Sequence, residues 1–122
     1  MPDVVLGQHL LIEFGLCSAP ALDDLDGIRA GLLAAARRSG ATVIGEIFHR
    51  FSPQGVTGVV AIAESHVSIH TWPEHGYAAV DVFTCSERMR SDVIVEDLRE
   101  LLEAGHVVVR RVERGPRGEG QN

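Results

Sequence analysis

Lysine is absent from this chain; all 11 basic residues are arginine. That excludes enzymes that hold pyridoxal phosphate through a Schiff-base lysine. Cysteine is scarce. The two present form no Cys-x-x-Cys pair and no disulfide-rich pattern, which fits a reducing cytosol and makes a structural zinc site an unfavourable reading. Long apolar runs are missing too, and nothing resembles a signal peptide, so a cytoplasmic protein without a membrane span is expected. Positive charge is in deficit: the net charge is −6 and the pI about 5.4. This argues against nucleic acid as a partner and suits a small cationic molecule. With 122 residues and no internal repeat or linker, the chain reads as one domain, small enough to gain from oligomerisation.

Alternation predicts the first strand over Leu6 to Leu16, with Leu10, Ile12, Phe14 and Leu16 inward and His9 and Glu13 on the opposite side. Ser18-Ala-Pro20 reads as a break. Asp23 or Asp24 caps a helix in which Leu25, Ile28, Leu32 and Leu33 recur, with Arg37, Arg38 and Gly40 at its end. Further strands are predicted over Thr42 to Phe51, Val56 to Ala63, Val67 to Trp72 and Tyr77 to Thr84, with turns at Ser52–Gly55 and Pro73–Gly76. A second helix starts at Ser91 or Asp92, places Ile94, Leu98, Leu101 and Leu102 inward and stops at Gly105. His106 to Val112 is the last strand. The order is β-α-β-β-β-β-α-β, which predicts an α+β two-layer sandwich: an antiparallel sheet with two helices on one face. Residues 1–114 form the domain. The segment 115–122 has nothing apolar to bury and is expected as a disordered tail.

The stretch Glu64 to Trp72 stands apart. An apolar run stops at Glu64-Ser65, and alternation then places His66, Ser68, His70 and Trp72 on one face. Four readings fit these residues. One is a strand with a solvated polar face. A second is a metal site on His66 and His70, although a strand separates them by about 13 Å. A third is a Cys/His hydrolase built on Cys85. The fourth is self-processing, in which the Ser65 hydroxyl attacks the preceding carbonyl and elimination from the ester leaves a pyruvoyl group.

Glu64-Ser-His-Val-Ser-Ile-His-Thr-Trp-Pro-Glu-His-Gly-Tyr-Ala-Ala-Val-Asp-Val-Phe-Thr-Cys85 resembles the processing block of the prokaryotic S-adenosylmethionine decarboxylase proenzymes. Gly7-Gln-His-Leu before Glu13-Phe14, Gly40-Ala-Thr, Phe48-His-Arg-Phe and Pro53-Gln-Gly-Val-Thr-Gly-Val-Val60 match in the same order. The resemblance implies cleavage between Glu64 and Ser65, with Ser65 becoming the pyruvoyl group. It also implies that His70 accepts the proton lost during elimination, that Thr57 assists where relatives carry serine, and that Cys85 returns a proton after CO₂ leaves. The resemblance further implies that Phe51 stacks on the adenine, that Glu74 binds the ribose hydroxyls and that Glu13 lies near the amine or sulfonium. Neither pyridoxal phosphate nor a metal is called for. The product would be an aminopropyl donor for polyamine, including spermidine, synthesis.

Two departures bear on substrate. Gln8 replaces the arginine usual in the Gly-Arg-His block, and Glu46 adds an acid close in sequence to His49 and Phe51. Glu46 could pair with the distal cation of ornithine or arginine, substrates of some pyruvoyl-dependent relatives, so decarboxylation of those amino acids is the alternative activity. An unprocessed, inactive partner subunit is a further alternative, against which the intact Glu64, Ser65, His70 and Cys85 count. His66, Ser68 and His75 carry no assigned role, and Cys17 reads as a small buried hydrophobe. Because a two-layer monomer leaves the histidine face open, the expected partner is a second copy of the processed chain.

Overall fold

The computed structural model describes residues 2–118. Alternation resolves into strands β1 (Gly7–Gly15), β2 (Val43–Arg50), β3 (Val56–Ile62), β4 (Ser65–Trp72), β5 (Tyr77–Thr84) and β6 (His106–Arg114). The helices are α1 (Ala19–Leu22), α2 (Leu25–Arg38) and α3 (Ser91–Leu101), and a 3-10 turn covers Pro73–His75. The strands form one antiparallel sheet in the order β2-β3-β4-β5-β1-β6. This is the expected α+β class, with the two long helices packed on one face.

Local chemistry explains the elements. Asp24 caps α2, its carboxylate accepting from the Gly27 N–H at 3.0 Å. Gly40, at φ +94°, reverses the chain just after α2, a conformation that suits glycine. Ile28 and Leu32 of α2 and Ile94, Leu98 and Leu102 of the α3 region meet Leu10, Ile12, Phe14, Val67, Ile69, Val80 and Val82 of the sheet, all fully or nearly fully buried. Each large side chain so buried is worth roughly 1.5–3 kcal/mol.

Three boundaries differ from expectation. The break at Ser18-Ala-Pro20 is instead the start of the one-turn helix α1. Ser18 caps it by accepting from the Ala21 N–H at 3.3 Å, Pro20 is tolerated in the first turn, and Leu22 is buried. Strand β4 begins at Ser65 rather than Val67, because Ser65 already pairs with Ile62 and Thr84. Strand β6 continues to Arg114 along β1. Of the segment expected as a tail, residues 115–118 run beside the N-terminal residues, with the Val4 N–H donating to the Pro116 carbonyl at 3.0 Å and the Gly118 N–H to Asp3 at 2.5 Å. Residues 119–122 lie outside the described residues. No helix among the described residues is long and apolar enough to cross a membrane.

Among the described residues the other sheet face carries no helix. Strand register places His9, Phe83 and His66 in one row, Leu11, Asp81, Ser68 and Ile47 in a second, and Glu13, Ala79, His70, Thr57 and His49 in a third. Ile47 is 71% exposed there, with Phe51, Trp72, Leu11 and Val112 also exposed.

Candidate active site

A two-residue turn, Ala63–Glu64, joins β3 to β4. Glu64 takes a φ of +59°. A non-glycine residue held in that left-handed region costs on the order of 1–3 kcal/mol. The next hydroxyl is equally unusual: Ser65 Oγ is buried and hydrogen-bonds to no group among the described residues. Buried polar atoms are normally paired. A strained residue and an unengaged hydroxyl therefore flank the same peptide bond. Ser65 pairs with Thr84, so Cys85 lies one residue beyond the partner of Ser65, as an exposed free thiol. Cys17, by contrast, packs against the core, and burial pushes its thiol up.

At the other end of β4, His70 faces Thr57 across the β3–β4 pair, with the Thr57 hydroxyl 3.0 Å from His70 Nδ1. These two residues share a cavity of about 250 Å³ with Phe51, Gln54, Trp72 and Glu74. The ring of Trp72 stacks on Tyr77 at 5.5 Å, and Phe51 meets His49 edge-on at 4.6 Å. The Tyr77 hydroxyl donates to Glu13 at 2.6 Å. Partial burial, reinforced by that carboxylate, pushes the phenol up to about 12. The sequence placed Trp72 on the His70 face but assigned no role to it, to Gln54 or to Tyr77, although their positions beside Phe51 and Glu74 carried a signal.

Glu46 is not with this group. In the unbroken register from Gly45 to Arg50 it pairs with Val60, on the helix side of the sheet and on the opposite face from His49, and its carboxylate engages Arg29 of α2. Its expected place near the pocket is thereby corrected: closeness in sequence to His49 put it on the wrong face of the strand. Gln8 also has helix-side register, opposite Thr84. His75 sits in the 3-10 turn after Glu74.

Between the two ends lies a network that the sequence did not assemble. Asp81 meets His9 Nε2 at 2.7 Å and His66 Nε2 at 2.9 Å, and accepts from the Ser68 hydroxyl. Burial works to raise the Asp81 carboxyl. The hydrogen bonds from Ser68, His9 and His66 outweigh it and hold the group below the ordinary carboxylate range. The three ligand atoms of His9, His66 and Asp81 lie within 4.8 Å of one another, close enough to hold an ion. The hydrogen bonding favours a different use. Arg114 can only donate, and it donates to His9 Nδ1 at 3.0 Å, leaving Nε2 as the protonated nitrogen that points at Asp81.

Ser65 and His70 stand five residues apart on one extended strand, roughly 17 Å. One chain thus carries two separate clusters: Glu64, Ser65 and Cys85 at one end, and Thr57, His70, Phe51 and Glu74 at the other.

A family model described as S-adenosylmethionine decarboxylase matches residues 8–115. An S-adenosylmethionine decarboxylase proenzyme of Methanococcus vannielii is 48% identical over 110 residues, covering 90% of each chain. One from Acidithiobacillus ferrooxidans is 44% identical over 110 residues, covering 90% of this chain and 83% of the relative. Among solved structures, an adenosylmethionine decarboxylase from Aquifex aeolicus aligns with a TM-score of 0.84 and 36% identity, over 97% of this chain and 98% of that one.

Proposed function

The chain belongs to the S-adenosylmethionine decarboxylase family, and on that premise we propose that it cleaves itself between Glu64 and Ser65 to gain a pyruvoyl group and then decarboxylates S-adenosylmethionine. The observation that carries the processing step is the buried, unpartnered Ser65 hydroxyl directly after the left-handed Glu64. In processing, Ser65 Oγ bonds to the Glu64 carbonyl carbon, the peptide C–N bond breaks, and the hydroxyl proton passes to the departing amine, leaving an ester. Loss of the Ser65 α-proton then breaks the Cβ–O bond and releases Glu64 as a carboxylate. Water replaces the nitrogen, which leaves as ammonia. His70, held by Thr57, is the base suited to the α-proton.

A carbonyl at position 65 supplies the electron sink that carries the charge left when CO₂ departs, the task for which this lysine-free chain has no pyridoxal phosphate anchor. Cys85 returns a proton to the substrate carbon. Phe51 offers a ring face to the adenine, Glu74 accepts from ribose hydroxyls, and Glu13 provides negative charge for the sulfonium. The cavity shared by Phe51 and Glu74 supports a nucleoside substrate over ornithine or arginine, and the engagement of Glu46 with Arg29 removes the acid on which that alternative leaned. The product serves as an aminopropyl donor for polyamine synthesis, in a cytoplasm reducing enough to keep Cys85 a thiol.

The roughly 17 Å between Ser65 and His70 supports a working unit of two chains. Two open faces stacked head to tail would set the Ser65–Cys85 end of one copy against the Thr57–His70 cavity of the other. Exposed Ile47, Leu11, Trp72 and Val112 supply apolar area for that contact.

Intact-mass measurement on purified protein tests the processing. Fragments 1–64 and 65–122 are expected, the second blocked to Edman sequencing, while Ser65→Ala stays one inactive chain. An active protein that remains wholly full length would overturn the proposal.

A further inference from the structure

On the helix side of the Glu64–Ser65 bond lies a cavity of about 190 Å³ whose lining includes Ala41, Glu64, Ser65, Ser86, Arg88 and Met89. Glu64 and Arg88 are the charged side chains in that lining. Among the described residues Arg88 makes no ion pair, with Glu64 or with any other acid, and it is exposed. Its backbone is fixed all the same. The Ser86 N–H donates to the Thr84 hydroxyl at 3.0 Å, the Arg88 N–H to the Ser86 hydroxyl at 3.1 Å, and the Arg90 N–H to the Ser39 carbonyl at 2.8 Å. An arginine with an unengaged guanidinium thus stands on a pinned loop beside a peptide bond.

Cleavage changes the electrostatics at this point. The neutral carbonyl of Glu64 becomes a main-chain carboxylate, next to the side-chain carboxylate of the same residue, so two negative charges collect where one stood. A planar guanidinium matches a carboxylate in bidentate geometry. We infer that Arg88 is the binding site for the carboxylate that self-cleavage creates at Glu64, anchoring the end of fragment 1–64 to the loop after β5. The inference rests on the self-cleavage proposed above. It assigns Arg88 a positioning role that begins when the Cβ–O bond of the ester breaks, since the group it binds is the one that leaves.

The test compares melting temperatures of four proteins: the processed chain and the uncleavable Ser65→Ala chain, each with and without Arg88→Gln. Arg88→Gln is expected to lower the melting temperature of the processed protein by about 2–4 °C and to leave Ser65→Ala within about 1 °C, and Arg88→Lys is expected to restore part of the loss. Retention of an ester that hydroxylamine releases in Arg88→Gln would also support the assignment, as the same contact acting on the departing carboxylate. Equal shifts in the processed and uncleavable backgrounds would overturn it, as would an Arg88→Gln chain that neither cleaves nor forms ester. An uncleaved parent chain on a denaturing gel would bring down the self-cleavage proposal itself, and this one with it.

Discussion

The two ends of β4 differ in how their polar groups are satisfied. At the Ser65 end the side chains are unengaged among the described residues: a buried hydroxyl without a partner, an exposed thiol one residue beyond the strand pair, and a glutamate in a left-handed turn. At the His70 end most groups have a partner, Glu74 and Gln54 being the exceptions among the described residues. Thr57 meets His70, Tyr77 donates to Glu13, Trp72 stacks on Tyr77, and Phe51 packs on His49. A nucleophile or a proton donor gains from being unengaged, since each hydrogen bond must be given up before reaction, whereas a base such as His70 can be oriented through its other ring nitrogen by a neighbour such as Thr57. Groups that recognise a ligand gain from being held, since fixed geometry lowers the ordering cost of binding. The Asp81 network with His9, His66 and Ser68 separates the two ends and ties β1, β4 and β5 together.

Breaking the reactive end without touching the other should give the largest effect. In Cys85→Ala, cleavage should proceed while turnover falls by ~10²–10⁴-fold, the range for loss of a positioned proton donor. Normal decarboxylation by that processed variant would remove Cys85 from the chemistry. Substitutions at the recognition end should act on substrate binding instead. Glu74→Gln should reduce kcat/KM for S-adenosylmethionine by one to two orders of magnitude, from the loss of roughly 1.5–3 kcal/mol of hydrogen bonding to a charged group, and Phe51→Ala by a similar factor, from the loss of about 1–3 kcal/mol of base stacking. Both should still cleave, and Glu46→Gln should change little because that carboxylate engages Arg29. Release of CO₂ from ornithine or arginine, dependent on Glu46, would contradict this division.

The smallest effect concerns pH. The Tyr77 phenol is raised to about 12, so the folded state holds this proton more tightly than the unfolded chain. Its contribution is fully present below the unfolded value near 10 and is lost as pH rises from there through about 12. Tyr77→Phe should flatten that part of an alkaline melting series. An unchanged slope would mean that the Glu13–Tyr77 contact does not form in solution.

Much of this was legible in the sequence because it depends on neighbours along the chain. Period-two alternation set the faces of β3, β4 and β5, and Asp24 and Gly40 marked the limits of α2. What escaped depends on long-range pairing. Nothing local indicates that β1 inserts between β5 and β6, yet that insertion brings His9 to Asp81 and His66. Glu46 is an odd number of residues from His49 and Phe51, so alternation along the unbroken register from Gly45 to Arg50 puts it on the opposite face from both; nearness in sequence is not nearness across a sheet. Pro20 read as a breaker because its tolerance in a first turn depends on Ser18 acting as a cap. Likewise, the motif joined Ser65 and His70 as chemistry, whereas the geometry of a strand holds them apart within one chain.

That separation makes complementation the most direct measurement of the central claim. Ser65→Ala chains retain His70, and His70→Ala chains retain Ser65, so neither should process when expressed alone. Co-expressed, they should form mixed dimers in which the intact His70 of one copy serves the intact Ser65 of the other. The expected result is that fragments 1–64 and 65–122 of the His70→Ala chain appear on a denaturing gel only in the mixture, together with recovered decarboxylation of S-adenosylmethionine. If the mixed dimers form by light scattering and every chain stays full length, the two-chain site is wrong.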